Sequence, residues 1–226
     1  LNLSKNKIKL FQDKIKDFTK NYLSDDNYGN MIDKVFENKE KVILFVPWYN
    51  ITDELRFKEI HTCLKYNLEN NMIKKVVFFY EIENENKIDY KFYNHEKILI
   101  VPVVTNNRRD ISFNKIVDYI NLNFKNELCI ISNNDIYFDN TLNKLNQLDF
   151  IKYNYFISLT RKNCDNYLDN NNKIWKPHSA SQDSWIFTSP IKLMETNINL
   201  GWIQCDNISS ASYDSLGYQV INPYHS

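Results

Sequence analysis

Glycine is almost missing from this chain, with three in 226 residues. Neither a GxGxxG nor a GxxxxGK[ST] stretch occurs, which removes the two commonest glycine-rich phosphate cradles. A nucleotide would therefore have to be held by side chains and a metal ion. Cysteine is also sparse. Cys63, Cys129, Cys164 and Cys205 are widely separated, and no CxxC pair exists, which argues against a zinc ribbon or a dithiol redox motif. Cys129 sits inside an apolar run and reads as a small buried hydrophobe. A reducing, cytoplasmic compartment is the expectation. No apolar run approaches the roughly 18 residues that span a bilayer, and no secretory leader is visible. There is no excess of either charge: 28 basic residues balance 28 acidic ones. That argues against a general nucleic-acid binder, which usually carries a basic surplus. Because the chain opens on Leu1 and stops at Ser226, it has the look of a piece cut from a longer protein.

What the chain does have is asparagine, lysine, isoleucine and tyrosine in abundance, a bias that reads as coding composition more than function. Its length suits one large domain or one domain with appendages, able to bury a core without staples. Residues 3–23 carry apolar positions at helical spacing, and Met31–Asn38 suggests a further short helix, so 1–39 is expected to be an N-terminal helical extension. From residue 40 onward, strand and helix patterns alternate. Lys41–Val46, Lys75–Tyr80, Lys97–Val104 and Leu128–Ile131 are short continuous apolar runs, as buried strands are. Between them, Asp53–Asn71 has helical spacing through Leu55, Ile60, Leu64 and Leu68, with Asp53 or Thr52 as N-cap. Ser112–Phe124 has it through Phe113, Ile116, Val117, Ile120 and Leu122, and Thr141–Leu148 is a short helix. Later come strand-like Asn154–Thr160, a polar stretch Arg161–His178, strand-like Ser184–Phe187, and helix then strand over Tyr213–Val220. Apolar strands between helices predict an α/β fold: a mostly parallel central sheet covered on both faces.

The most informative stretch is Leu128–Asp139, LCIISNNDIYFD. A buried strand runs straight into Ser132-Asn133-Asn134-Asp135 and delivers oxygen-bearing side chains to the sheet rim. Ligands of open α/β sheets bind beyond the strand carboxyl ends, and hard divalent cations prefer oxygen donors. The expectation is a metal-assisted site for a phosphate-bearing ligand, set against an ordinary Asn/Asp turn. Asp139 either adds a carboxylate or caps the next helix.

Other candidates gather at the same rim. Arg108-Arg109-Asp110 follows the third strand, and arginine's planar fork suits phosphate. Pro47-Trp48-Tyr49-Asn50 follows the first strand; an aromatic there stacks on a nucleobase or packs on the core. Asp183, ahead of Trp185-Ile186-Phe187, is a candidate general base or a turn aspartate. Asp206 or Asn207 caps a helix from Ile208, or Asp206 faces a sugar hydroxyl. The four histidines show no metal spacing; His61 reads as structural, and His225 could reach a metal.

The order KVILFVPWYN, helix, KVVFFYE, KILIVPV, CIISNNDIYF, SQDSWIF and GWIQCDN resembles that of GT-A-type nucleotide-sugar glycosyltransferases. It is most similar to the small family found in large DNA viruses and some bacteria. The resemblance runs from about Lys41 to Pro223 and implies a glycosyltransferase domain over 40–226. Its nucleotide-sugar half is 40–140 and its acceptor half 141–226. It implies transfer of a sugar from a nucleotide-diphosphate donor, a UDP-sugar by preference, to a glycan or glycoconjugate hydroxyl in the cytoplasm. It implies a DxD-like metal motif binding Mn2+ or Mg2+, with Asp135 the retained acid and Asn133 a neutral departure. Donor contacts fall on Pro47, Trp48, Tyr49, Asn50, Arg108, Arg109, Asn133 and Asn134. The acceptor-side base is Asp183, with Trp185 and Asp206 beside it. Two other classes compete. One is a nucleotidyltransferase, disfavoured because Pro47–Asp53 lacks glycine and arginine; the other is a non-catalytic carbohydrate- or nucleotide-sugar-binding domain.

Overall fold

Seven strands of one sheet carry the chain's most apolar segments. The computed structural model describes residues 40–82, 93–105, 111–161, 181–201 and 205–223. The expected helices over 3–23 and 31–38 lie outside them. In chain order the elements are β1 (Val42–Trp48), α1 (Glu54–Glu69), β2 (Ile73–Ile82), β3 (Ile98–Val104), α2 (Phe113–Asn123) and β4 (Leu128–Ser132). A 3-10 helix (Asn140–Gln147), α3 (Phe150–Tyr153), β5 (Tyr155–Leu159), β6 (Ser184–Thr188), α4 (Cys205–Ser215) and β7 (Gln219–Ile221) complete the set.

The strand order is β3-β2-β1-β4-β6-β5-β7. β1, β2, β3 and β4 are mutually parallel where they pair, and β5 runs parallel to β7. β6 alone is antiparallel to both its neighbours. This is the mostly parallel α/β sheet that the apolar runs predict.

The two-residue period of the strands divides the core into two layers. Ile43 and Phe45 of β1, Cys129 and Ile131 of β4, and Trp185 and Phe187 of β6 pack on one face with α2 and with Tyr213 of α4. Leu44, Val46 and Trp48, with Ile130 and Ile186, pack on the other with Ile60 and Leu64 of α1 and Leu142 and Leu145 of the 3-10 helix. Helices therefore cover both faces.

The helix starts follow local chemistry. Asp53 caps α1 by accepting from Arg56 N at 2.7 Å, and Ser112 caps α2 by accepting from Lys115 N. Asp139 caps the 3-10 helix, accepting from Thr141 N at 2.8 Å, which decides its role as a cap. Two apolar positions counted toward helix faces are in fact exposed, Leu55 and Leu122. Leu55 lies five residues before Ile60, outside the i, i+3/i+4 stripe that faces the sheet. α4 begins at Cys205, so Asp206 lies in its first turn rather than capping a helix from Ile208.

Cys63, Cys129 and Cys205 are buried and free. Burial pushes the Cys129 thiol up to about 12, as an inert core thiol requires. No helix among the described residues is long and apolar enough to cross a membrane.

Candidate functional site

Parallel β1, β2 and β4 all end at one rim of the sheet, and the antiparallel β6 begins there. Ser132, the last residue of β4, pairs with Ser184, the first of β6. Strand reversal thus delivers the residue before β6, Asp183, beside the residue after β4, Asn133. Asn133 N donates to the Asp183 carbonyl at 3.1 Å. Its side-chain Nδ2 donates to Asp183 Oδ1 at 3.0 Å.

A cleft of about 180 Å3 opens at this rim. It is lined by Pro47 and Tyr49 after β1, Arg56 of α1, Glu81 of β2, Asn133, Asn134 and Asp135 after β4, and Ile111, Leu200 and Gly201. Whole small-molecule sites commonly enclose ~300–1,000 Å3, so this cleft accommodates part of a nucleotide-sized ligand. Gly201 adopts φ +79°, a left-handed conformation that glycine takes without strain. The 198–200 segment reaches the rim through backbone hydrogen bonds from Leu200 N to Ile111 O and from Phe113 N to Ile198 O.

The loop after β4 is fastened to α1 by side chains. Asn67 donates Nδ2 to Ile136 O at 2.8 Å and accepts from Phe138 N at 3.0 Å. Asn70 donates to Phe138 O and Asp139 O, and Cys63 donates Sγ–H to Asp135 O. The backbone carrying Asn133-Asn134-Asp135 is thereby held between its own strand and a helix about seventy residues away in sequence.

Electrostatically the rim alternates in sign. Arg56 Nη2 is 2.9 Å from Asp135 Oδ2, and its Nη1 is 2.6 Å from Glu59 Oε2. Burial works to lower the Arg56 pKa, but the Asp135 charge and hydrogen bonds to Tyr49, Asp135 and Glu59 outweigh it, so the guanidinium stays charged. Arg161 Nη1 is 2.9 Å from Asp183 Oδ1. Asp183 is 6 % exposed, and its Oδ2 is buried with no hydrogen-bond partner. Burial raises the Asp183 pKa; Arg161 opposes this, while Asp135 and Asp206 add to it. Asp206 Oδ2 accepts from Gln182 N at 3.2 Å, tying α4 to the residue before Asp183.

The residues singled out from sequence separate clearly. Pro47, Tyr49, Asn133, Asn134 and Asp135 line the cleft; Asp183 and Asp206 do not, but Asp183 is hydrogen-bonded to Asn133 and Asp206 to Gln182. Asn50 is exposed and does not line it. Trp48 is corrected: it is 1 % exposed, stacks on Phe78 at 4.1 Å and donates Nε1–H to Tyr93. It falls on the same face of β1 as Leu44 and Val46, as the two-residue strand period requires. Trp185 is likewise corrected from an acceptor-side residue to a core one, fully buried edge-on against Phe113. His61 packs half-buried on Phe57 and Trp48, a structural role. Arg108, Arg109 and His225 lie outside the described residues.

Arg56, Glu81 and Arg161 were not legible as site residues. Arg56 sits inside a helix pattern and Glu81 inside an apolar strand; only the position of Glu81 at a strand's carboxyl end pointed to the rim.

The donor set for Mn2+ or Mg2+ fits poorly. Among the described residues, no three His, Cys, Asp or Glu side chains are grouped to hold an ion. Asp135 is already paired with Arg56, and Asn133 offers a neutral amide oxygen in place of a carboxylate.

No protein-family model matches the chain, and no curated relative does. Among solved structures it is similar to 4-diphosphocytidyl-2C-methyl-D-erythritol synthase from Anaerococcus prevotii. The likeness has a TM-score of 0.42 and 10 % identity over 83 % of this chain and 91 % of that one. Identity at that level assigns no family.

Proposed function

We propose that the chain is a transferase that holds a nucleotide sugar's phosphates in the rim cleft and passes the sugar to a glycan hydroxyl. In this reading 40–140 handles the donor and 141–226 the acceptor. The observation that carries it is the meeting, at one rim, of a cleft that presents the Arg56 guanidinium with a buried carboxylate of raised pKa. Tyr49 and Glu81 are the side chains placed to meet base or ribose, and Arg56 the one placed to meet phosphate. Asp183 supplies the base. Its carboxylate removes the proton from an acceptor hydroxyl as that oxygen bonds to the anomeric carbon. The bond from that carbon to the phosphate oxygen breaks, and a nucleoside diphosphate leaves. A carboxylate whose environment disfavours its charge is a stronger base than an exposed one. No step is assigned to a divalent cation.

One observation favours a second reading, nucleotidyl transfer. The loop 47–53 lacks arginine, but Arg56, three residues on, lines the same cleft. An attacking phosphate would then displace pyrophosphate from a nucleoside triphosphate. The two are separated by their products: incubation with UDP-, GDP- and dTDP-sugars plus glycan acceptors, and separately with nucleoside triphosphates plus sugar phosphates. Release of nucleoside diphosphate supports glycosyl transfer; pyrophosphate release supports the second reading. Nucleotide-sugar binding without turnover would make the domain a binding module.

A further inference from the structure

An arginine in the first turn of a helix sits at the wrong end of the helix dipole, whose positive pole repels cations. Arg56 is in that position, three residues after the cap of the sixteen-residue α1. Local helix chemistry therefore does not account for it, and its surroundings do. Glu59, Tyr49 and Asp135 engage the guanidinium, and Asp135 comes from 79 residues away in sequence. Its side chain keeps 35 % of its surface exposed and that of Asp135 25 %, and both line the cleft. The group is fixed in place, permanently charged and open to a ligand on one side. A planar fork with five N–H donors retains donors for phosphate oxygens after pairing with two carboxylates.

The strand-end motif has at the same time lost what a divalent ion needs. The first acidic position is Asn133, a neutral amide that brings no charge to an ion and is oriented by its nitrogen's hydrogen bond to Asp183. The remaining acid, Asp135, has Oδ2 on Arg56. A dication arriving at Asp135 would meet a guanidinium within hydrogen-bond distance of its only carboxylate ligand in the motif, and the like charges repel.

We propose that Arg56 is the resident cation of this site and that it, rather than a divalent metal, meets the phosphates of a bound nucleotide. The proposal rests on the nucleotide reading of the cleft. It makes Asp135 the positioning residue for Arg56, not a metal ligand, and it makes phosphate binding independent of Mn2+ and Mg2+.

The test is titration calorimetry with UDP, CDP, GDP and ADP as probes, each in excess EDTA and again with Mn2+ or Mg2+. The proteins are the wild type, Arg56→Gln, Arg56→Lys and Asp135→Asn, with thermal melts to check folding. At least one nucleotide is expected to bind the wild type in EDTA, with affinity changed less than about twofold by either metal. Loss of a charged hydrogen-bonding partner should cost Arg56→Gln about tenfold or more, and Arg56→Lys should recover part of it. Asp135→Asn keeps an oxygen for Arg56 and removes a negative charge near the phosphates, so its affinity in EDTA should equal or exceed wild type. A metal ligand predicts the reverse for that variant. Binding that requires Mn2+ or Mg2+, disappears in Asp135→Asn and is indifferent to Arg56→Gln would overturn the proposal and leave the nucleotide reading standing. Absence of binding by every probe in every condition would overturn both.

Discussion

The Asn133 side chain donates a hydrogen bond to Asp183 Oδ1 at 3.0 Å, across fifty residues of sequence. Arg161 donates to the same oxygen, which leaves Oδ2 buried and unpartnered. One oxygen is thus used to orient the carboxylate while the other keeps its lone pairs. The neutral residue at 133 now has a physical reason. Its amide is a donor to Asp183, whereas an aspartate there would set two carboxylates against one another.

The first prediction follows from that contact. Asn133→Asp should be destabilised near neutral pH by roughly 1–3 kcal/mol, the cost of losing the donor to a buried acceptor, with like-charge repulsion adding to it. Both carboxylates would then have folded-state pKa values above their unfolded ones. The penalty is present when they are ionised and is relieved as pH falls through those values. Denaturant unfolding at pH 7 and at about pH 4, near the unfolded carboxylate range, measures it. A variant as stable as wild type at both pH values would rule out the contact.

Asp183→Asn should retain nucleotide binding and lose transfer by about 10²–10⁴-fold, the usual scale for a positioned general base. Its stability should move the other way. The raised folded-state pKa means that the native state binds the proton more tightly than the unfolded chain does. Native stability therefore falls as pH rises from the unfolded pKa through the folded one. The neutral amide escapes that loss, so Asp183→Asn should melt at or above wild type at pH 7, with the gap closing on acidification. A variant that melts well below wild type at pH 7 would make Asp183 a structural ion-pair residue.

Asn67→Ala should be destabilised by about 1–3 kcal/mol, since it strips a partner from both Ile136 O and Phe138 N. The loop carrying Asp135 would loosen from α1, so nucleotide affinity should fall along with stability. Equilibrium unfolding beside calorimetry checks both; a drop in stability with unchanged affinity would disconnect the loop clamp from the site.

Trp48 and Tyr49 should part company. Trp48→Ala removes a core ring stacked on Phe78 and should cost about 3–5 kcal/mol. Tyr49→Ala, half-exposed at the cleft, should fold normally and weaken nucleotide binding. Melting temperatures and nucleotide titrations on the pair decide it, and the opposite pattern would return Trp48 to the ligand.

Much of the scaffold was legible from residue spacing alone. The runs KVILFV, KVVFFY, KILIVPVV and LCII each lie within an observed strand or overlap it closely, and Asp53 and Ser112 start the helices where their side chains reach the first free N–H groups. These are properties of neighbouring residues: apolar period, cap chemistry, strand length. The asparagine-rich composition was harder to read. Asn67, Asn70, Asn114 and Asn121 each hold an irregular segment from a helix surface. Asn114 pairs with both the N–H and the carbonyl of Met194, and Asn121 likewise with Ile191. No local pattern distinguishes such a clamp from a solvated asparagine, because its partner lies seventy or eighty residues away.

By itself the sequence determined that there would be a sheet of buried strands, helices on both faces, and a polar rim after LCIIS. Only the tertiary structure decided what that rim could do. Antiparallel insertion of β6 brought Asp183 to Asn133, strand alternation turned Trp48 and Trp185 into the core, and the docking of α1 aimed Arg56 at Asp135. Secondary structure follows from periodicities a few residues long, whereas a charge's partner is set by the packing of distant elements. At this rim, that packing decides which oxygen is neutralised and which remains available to a ligand.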